Sequence, residues 1–105
     1  MKRNTKTKVD LKKKAINALK TVIDPEIGAS VLDLGLIYDL KVEKDSVKVL
    51  MTLTSIGCPL RNFIIAGIEN KLKEVGFKNV AIELTFDPPW TPERMSKELR
   101  KKLGI

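Results

Sequence analysis

Two runs of alternating side chains joined by a two-residue turn, followed by one helix and a third alternating run, constrain this chain more than anything else in it. Leu36, Tyr38, Leu40 and Val42 alternate with Ile37, Asp39, Lys41 and Glu43; beyond Lys44-Asp45, Val47, Val49, Met51 and Leu53 alternate with Lys48, Leu50, Thr52 and Thr54. Period two on both sides of a tight turn predicts a hairpin with one wet face. From Pro59 the stripe Leu60, Phe63, Ile64, Gly67, Ile68, Leu72 and Val75 predicts a helix, which Gly76 ends in the left-handed conformation. Val80, Ile82, Leu84 and Phe86 then alternate with Ala81, Glu83 and Thr85 as a third strand. Strand, helix and strand imply a right-handed crossover and a parallel pair inside a mixed sheet. Each strand has one apolar face, so helices cover one side only. The expectation is an α+β fold, a two-layer α-β-β-α-β core with a three-stranded mixed sheet and a C-terminal helix.

The flanks complete one domain, since 105 residues suffice for a single modest core. Residues 1–8 read as a mobile basic lead and 9–105 as the domain. From Asp10, Leu11, Ala15, Ile16, Leu19, Val22 and Ile23 recur at three and four, an amphipathic helix that Pro25 should end. Residues 24–35 show no period but are apolar enough to pack as a loop, and connections of that length are often functional. In Thr91-Pro92-Glu93 the order of a cap, a first-turn proline and an acid predicts the start of a last helix, with Met95, Leu99 and Leu103 as its inner stripe.

Net charge is +7, but residues 1–20 and 91–105 hold 13 of the 20 Lys and Arg, leaving the centre slightly acidic. A basic nucleic-acid face on the domain itself is therefore not indicated. The layout resembles a KH domain, yet the GXXG tetrad by which that module clamps a backbone does not occur. No apolar run approaches the ~18 residues of a membrane span, and with a single cysteine no intramolecular disulfide can form. The expectation is a cytoplasmic protein with no membrane partner.

That one cysteine, Cys58, precedes Pro59 at the predicted helix start, a position that reads as an N-cap. Unpaired backbone N–H groups and the helix dipole would favour its thiolate there. Arg61 in the first turn opposes the dipole, which a nearby anion would explain. The plainer alternative for Cys58 is a small buried hydrophobe. The predicted topology also brings three loop ends to one sheet edge: Cys58 with Thr54 and Ser55 after strand two, Asp33 before strand one, and Asp87-Pro88-Pro89-Trp90 after strand three. Asp24, Glu26 and Asp33 are carboxylates that no Lys or Arg in their loop balances, although such residues also serve as loop caps. Thr54 and Ser55 could likewise form turns, and Trp90 could be a core plug.

A thiol enzyme usually takes His as its base, and this chain contains none, which leaves only an unconventional base such as Asp33. A structural zinc site needs about four Cys or His ligands. One thiolate with carboxylate neighbours could instead hold iron or an iron-sulfur cluster transiently, above all if shared across a homodimer.

Taken in order, Asp24-Pro25-Glu26, Asp33-Leu34-Gly35-Leu36-Ile37-Tyr38, Thr54 with Cys58-Pro59, and Asp87-Pro88-Pro89-Trp90-Thr91-Pro92 closely resemble the SufT-like and PaaD-like family of metal-sulfur cluster maturation proteins. The likeness spans about residues 10–103. It implies the iron-sulfur cluster assembly domain fold, in agreement with the layout above. It also implies an auxiliary, non-enzymatic role in assembling iron-sulfur clusters or delivering them to client proteins. Cys58 would be the functional thiol and a transient metal ligand, with Asp24, Glu26, Asp33 and Thr54 lining its site and Ser55 and Arg61 beside it. Iron-sulfur client or assembly proteins would be the partners. One branch of the family serves a multicomponent oxygenase and carries further C-terminal cysteines that this sequence lacks, so the general maturation branch is favoured over an adaptor subunit.

Overall fold

The computed structural model describes residues 7–54, 57 and 59–105; Ser55, Cys58 and most of the basic lead lie outside the described residues. In chain order the elements are α1 (Lys8–Leu19), β1 (Ile23–Asp24), β2 (Ala29–Ser30), β3 (Ile37–Val42), β4 (Ser46–Met51), α2 (Arg61–Glu74), β5 (Asn79–Leu84) and α3 (Lys97–Leu103). The main sheet has the order β3-β4-β5, with β3 antiparallel and β5 parallel to β4. This is the expected α+β fold with a three-stranded mixed sheet.

Cross-strand partners explain the two faces. Val42 lies opposite Val47, Val47 opposite Val80, and Val49 between Leu40 and Ile82. On these stand α1, through Leu11, Ala15, Ala18 and Leu19, and α2, through Ile64, Ile68 and Leu72, all buried. Phe77 is buried at the turn after α2. The other face carries Lys41 opposite Lys48, and Lys48 reaches Glu83 at 3.4 Å. Ion pairs this exposed are worth little, about 0–1 kcal/mol, so the face is held by the strands and not by its charges.

Several boundaries differ from the expectation. A capping box sets the start of α1: Thr7 Oγ1 accepts the Asp10 N–H at 3.1 Å, and the Asp10 carboxylate accepts the Thr7 N–H at 3.4 Å. The helix stops at Leu19, well before Pro25. There Thr21 and Val22 fold back onto the Ala18 and Leu19 carbonyls, and Val22 and Ile23 leave as extended chain. Both are β-branched and pair with the 29–31 segment, so the loop after α1 is in part a small hairpin, β1 with β2.

The alternation of β3 also breaks. The register shifts between Ile37 and Asp39, a bulge that leaves Tyr38 without a cross-strand partner. Thr91-Pro92-Glu93 does not open the last helix. Pro92–Arg94 is one 3-10 turn, Met95 is extended, and α3 begins after Ser96, whose hydroxyl accepts the Leu99 N–H at 3.1 Å. Of its expected inner stripe, Leu99 is buried, Met95 packs at the margin of the core and Leu103 is largely exposed.

Candidate functional site

The edge where β4 and β5 end is built by backbone bonds between three segments. The Thr52 N–H donates to the Leu36 carbonyl at 2.8 Å, and the Thr85 N–H donates to the Met51 carbonyl at 2.8 Å. Thr52 is fully buried and Leu53 nearly so, while Thr54 is half-buried and Gly57 and Pro59 are exposed. The chain thus passes from core to surface within about five residues of the end of β4. The predicted convergence of the segments entering β3, leaving β4 and leaving β5 is present at this edge.

The helix that follows begins later than the sequence suggested. Leu60 is the N-cap, with φ −98° and ψ 13° and no side-chain cap, and Arg61 is the first helical residue. The first i→i−4 bond runs from the Ile64 N–H to the Leu60 carbonyl, at 2.9 Å. Cys58 is therefore not the N-cap but two positions before it in sequence. The proline supplies a compatible φ, yet Pro59 and Leu60 form a turn ahead of the helix. The dipole acts within the first turn, so this correction weakens the argument that the helix alone activates the thiol.

Arg61 has a neighbour that sequence reasoning did not find. Its guanidinium carbon lies 5.9 Å from the centroid of Phe86, just beyond β5. A cation over an aromatic face contributes about 0.5–1 kcal/mol when partly exposed, which offsets the unfavourable dipole at this first turn.

The three loop carboxylates have individual structural roles. Asp24 is 3 % exposed, and its Oδ1 accepts the Glu26 N–H at 2.9 Å, an Asx turn. Its own carbonyl accepts the N–H groups of Ile27 and Gly28 at 3.2 and 2.7 Å. Gly28 closes the β1-β2 turn at φ +78°. Glu26 is exposed and contributes its backbone to that turn. Asp33 is also exposed; its N–H donates to Ser30 Oγ at 3.0 Å and its carbonyl accepts the Ser96 N–H at 2.8 Å. It lines a groove of about 550 Å³ between the β1-β2 hairpin and α3, with Glu98 and Lys102. Among the described residues no group of three or more His, Cys, Asp or Glu could hold a metal ion. Asp24, Glu26 and Asp33 accordingly do not by themselves form a donor set.

What the sequence reading missed is how its two most distinctive motifs meet. Trp90 is half-buried, and its indole N–H donates to the Leu34 carbonyl at 2.6 Å. The Tyr38 hydroxyl donates to the Pro88 carbonyl at 2.8 Å, and the Arg94 guanidinium carbon stands 4.6 Å from the Tyr38 ring centroid. Gly35 has φ +76°, and a β-carbon there would collide with the Arg94 backbone carbonyl. The 87–96 segment therefore lies across the 33–38 segment as a clasp. The signals were Gly35 within Asp33–Tyr38 and Trp90 among prolines.

Comparison with known proteins finds both sequence relatives and structural neighbours. Residues 12–84 match the family model described as iron-sulfur cluster assembly protein. The chain is 47% identical over 92 residues to an Fe-S protein maturation auxiliary factor of Porphyromonas gingivalis, covering 86% of this chain and 88% of that protein. It is 38% identical over 86 residues to the Fe-S protein maturation auxiliary factor SufT of Staphylococcus aureus, covering 80% and 98%. Among solved structures, a domain of unknown function from Bacillus anthracis superposes with a TM-score of 0.87 at 33% identity, covering 93% of this chain and 95% of that one. On the extent of the family match and the identity to relatives covered almost end to end, this chain belongs to the iron-sulfur cluster assembly protein family.

Proposed function

We propose that this protein is a cytoplasmic, non-enzymatic auxiliary factor that helps assemble iron-sulfur clusters or deliver them to client proteins, with the Cys58 thiol as its working group. The cluster, or its iron, is cargo. Family membership supports the role in iron-sulfur assembly. The observation that carries the site is the edge at Leu36, Met51 and Thr52, where backbone bonds from two neighbouring segments fix the root of the segment holding Cys58. A cargo ligand must be exposed, and Gly57 and Pro59 on either side of Cys58 are exposed.

One thiolate per chain cannot complete the usual shell of about four cysteines around a cluster. The remaining ligands would come from a second copy of this chain, a small thiol or the client, which suits a transient hold and ready transfer. Asp24 and Glu26 do not belong to the ligand set in this reading, because their atoms build the β1-β2 turn. A lone free thiol also suits a reducing compartment, and no helix among the described residues is long and apolar enough to cross a membrane.

The test is complementation of a strain with a cluster-maturation defect. Cys58→Ala is expected to fold normally and to fail to complement, while the wild-type protein restores client activity. Complementation by Cys58→Ala at wild-type level would overturn the role of the thiol.

A further inference from the structure

We propose that Trp90 is a positioning residue for the chain where it leaves β4, acting through Leu34 and Leu36 to hold residues 52–54, from which the chain leads on to Cys58; this rests on the reading of Cys58 as the working thiol. The path is a short series of hydrogen bonds between neighbouring backbone segments. The Trp90 indole N–H holds the Leu34 carbonyl at 2.6 Å, and the Ser96 N–H holds the Asp33 carbonyl at 2.8 Å. Two residues past Leu34, the Leu36 carbonyl receives the Thr52 N–H at 2.8 Å. Thr52 is the residue at which β4 has ended and the segment toward Cys58 begins.

Three features make this a fixed path and not a chance contact. Leu34 and Leu36 are fully buried, so their carbonyls depend on protein donors. Gly35 between them is in the left-handed conformation with the Arg94 backbone against it, which leaves that link no room to shift toward the clasp. The far end of the clasp is anchored independently, by the Tyr38 hydroxyl on Pro88 and by Arg94 over the Tyr38 ring. By contrast, the helical layer over the sheet is packed through Ile64, Ile68 and Leu72 and does not need the indole N–H. Removing that N–H should loosen the chain at residues 52–54 while leaving the core intact.

Trp90→Phe keeps an aromatic plug and deletes the donor. Two readouts separate positioning from stability: amide hydrogen exchange resolved by segment, and the rate at which iodoacetamide alkylates Cys58, the only thiol in the chain. In Trp90→Phe, exchange over 52–54 should rise about fivefold, the scale of one lost hydrogen bond, with α2 unchanged and alkylation accelerated. Tyr38→Phe loosens the anchor of the same clasp and should shift both readouts in the same direction by less. If Trp90→Phe does not fold, Tyr38→Phe decides alone. A folded Trp90→Phe, or failing that Tyr38→Phe, with wild-type exchange over 52–54 and wild-type alkylation would overturn the proposal. Neither readout requires cluster chemistry, so failure of the thiol role in complementation remains a separate result.

Discussion

Trp90 and Leu34, 56 residues apart in the chain, are joined by a 2.6 Å hydrogen bond from indole N–H to backbone carbonyl. That bond ties the segment leaving the parallel edge strand to the segment entering the antiparallel one. It makes the two motifs that looked most functional in the sequence into partners, one seated on the other. Much of what distinguishes Asp33-Leu34-Gly35-Leu36-Ile37-Tyr38 is then explained by what must lie against it.

Gly35 is the most demanding position in that contact. At φ +76° any side chain is strained, and a β-carbon there would meet the Arg94 carbonyl. Gly35→Ala should cost about 2–4 kcal/mol, combining backbone strain with displacement of the clasp. Urea denaturation measures this. A loss below about 0.5 kcal/mol, the scale of an ordinary surface change, would mean that the clasp does not press on Gly35.

Asp24 distinguishes a turn-former from a metal ligand. Its Oδ1 accepts the Glu26 N–H, a bond an asparagine oxygen can also accept. Asp24→Asn should stay within about 0.5 kcal/mol of wild type and still complement, whereas Asp24→Ala should lose about 1–2 kcal/mol through the orphaned N–H. Equal loss of complementation by both variants, with Asp24→Asn fully stable, would restore a ligand role to the carboxylate.

The periodicity of α2 was correct in kind and too generous in width. Ile64, Ile68 and Leu72 are at most 1 % exposed, whereas Phe63, assigned to the same stripe, is 63 % exposed. Ile68→Ala should cost about 2–5 kcal/mol as a buried cavity, and Phe63→Ala should fall within about 0.5 kcal/mol. Thermal unfolding of the pair checks the assignment.

These differences show what was legible in the sequence and what was not. The strands β4 and β5 and the body of α2 were readable because Val47, Val49, Val80, Ile82, Ile64 and Ile68 obey the local periods of sheet and helix, and the parallel crossover follows from their order. The ends were harder, because tertiary contacts choose between local signals of similar strength. Val22 and Ile23 continue the helical spacing of α1, yet pairing with residues 29–31 draws them into extended chain. Thr91-Pro92-Glu93 has the chemistry of a helix start, but Ser96 holds the cap, with its N–H fixed to the Asp33 carbonyl. The convergence of loops at the β4 edge followed from topology alone. That Asp24 would turn inward to its own backbone, and that Arg61 would find Phe86, depended on packing that no single segment encodes.

The central claim is that Cys58 is the ligand by which this protein holds its cargo. Anaerobic reconstitution with iron, sulfide and a small thiol to complete the ligand shell, followed by visible absorption on the desalted wild type and Cys58→Ala, tests it most directly. The account predicts charge-transfer absorption from bound iron and sulfide in the wild type and its loss in the variant; equal uptake by both proteins, or none by the wild type, would contradict it.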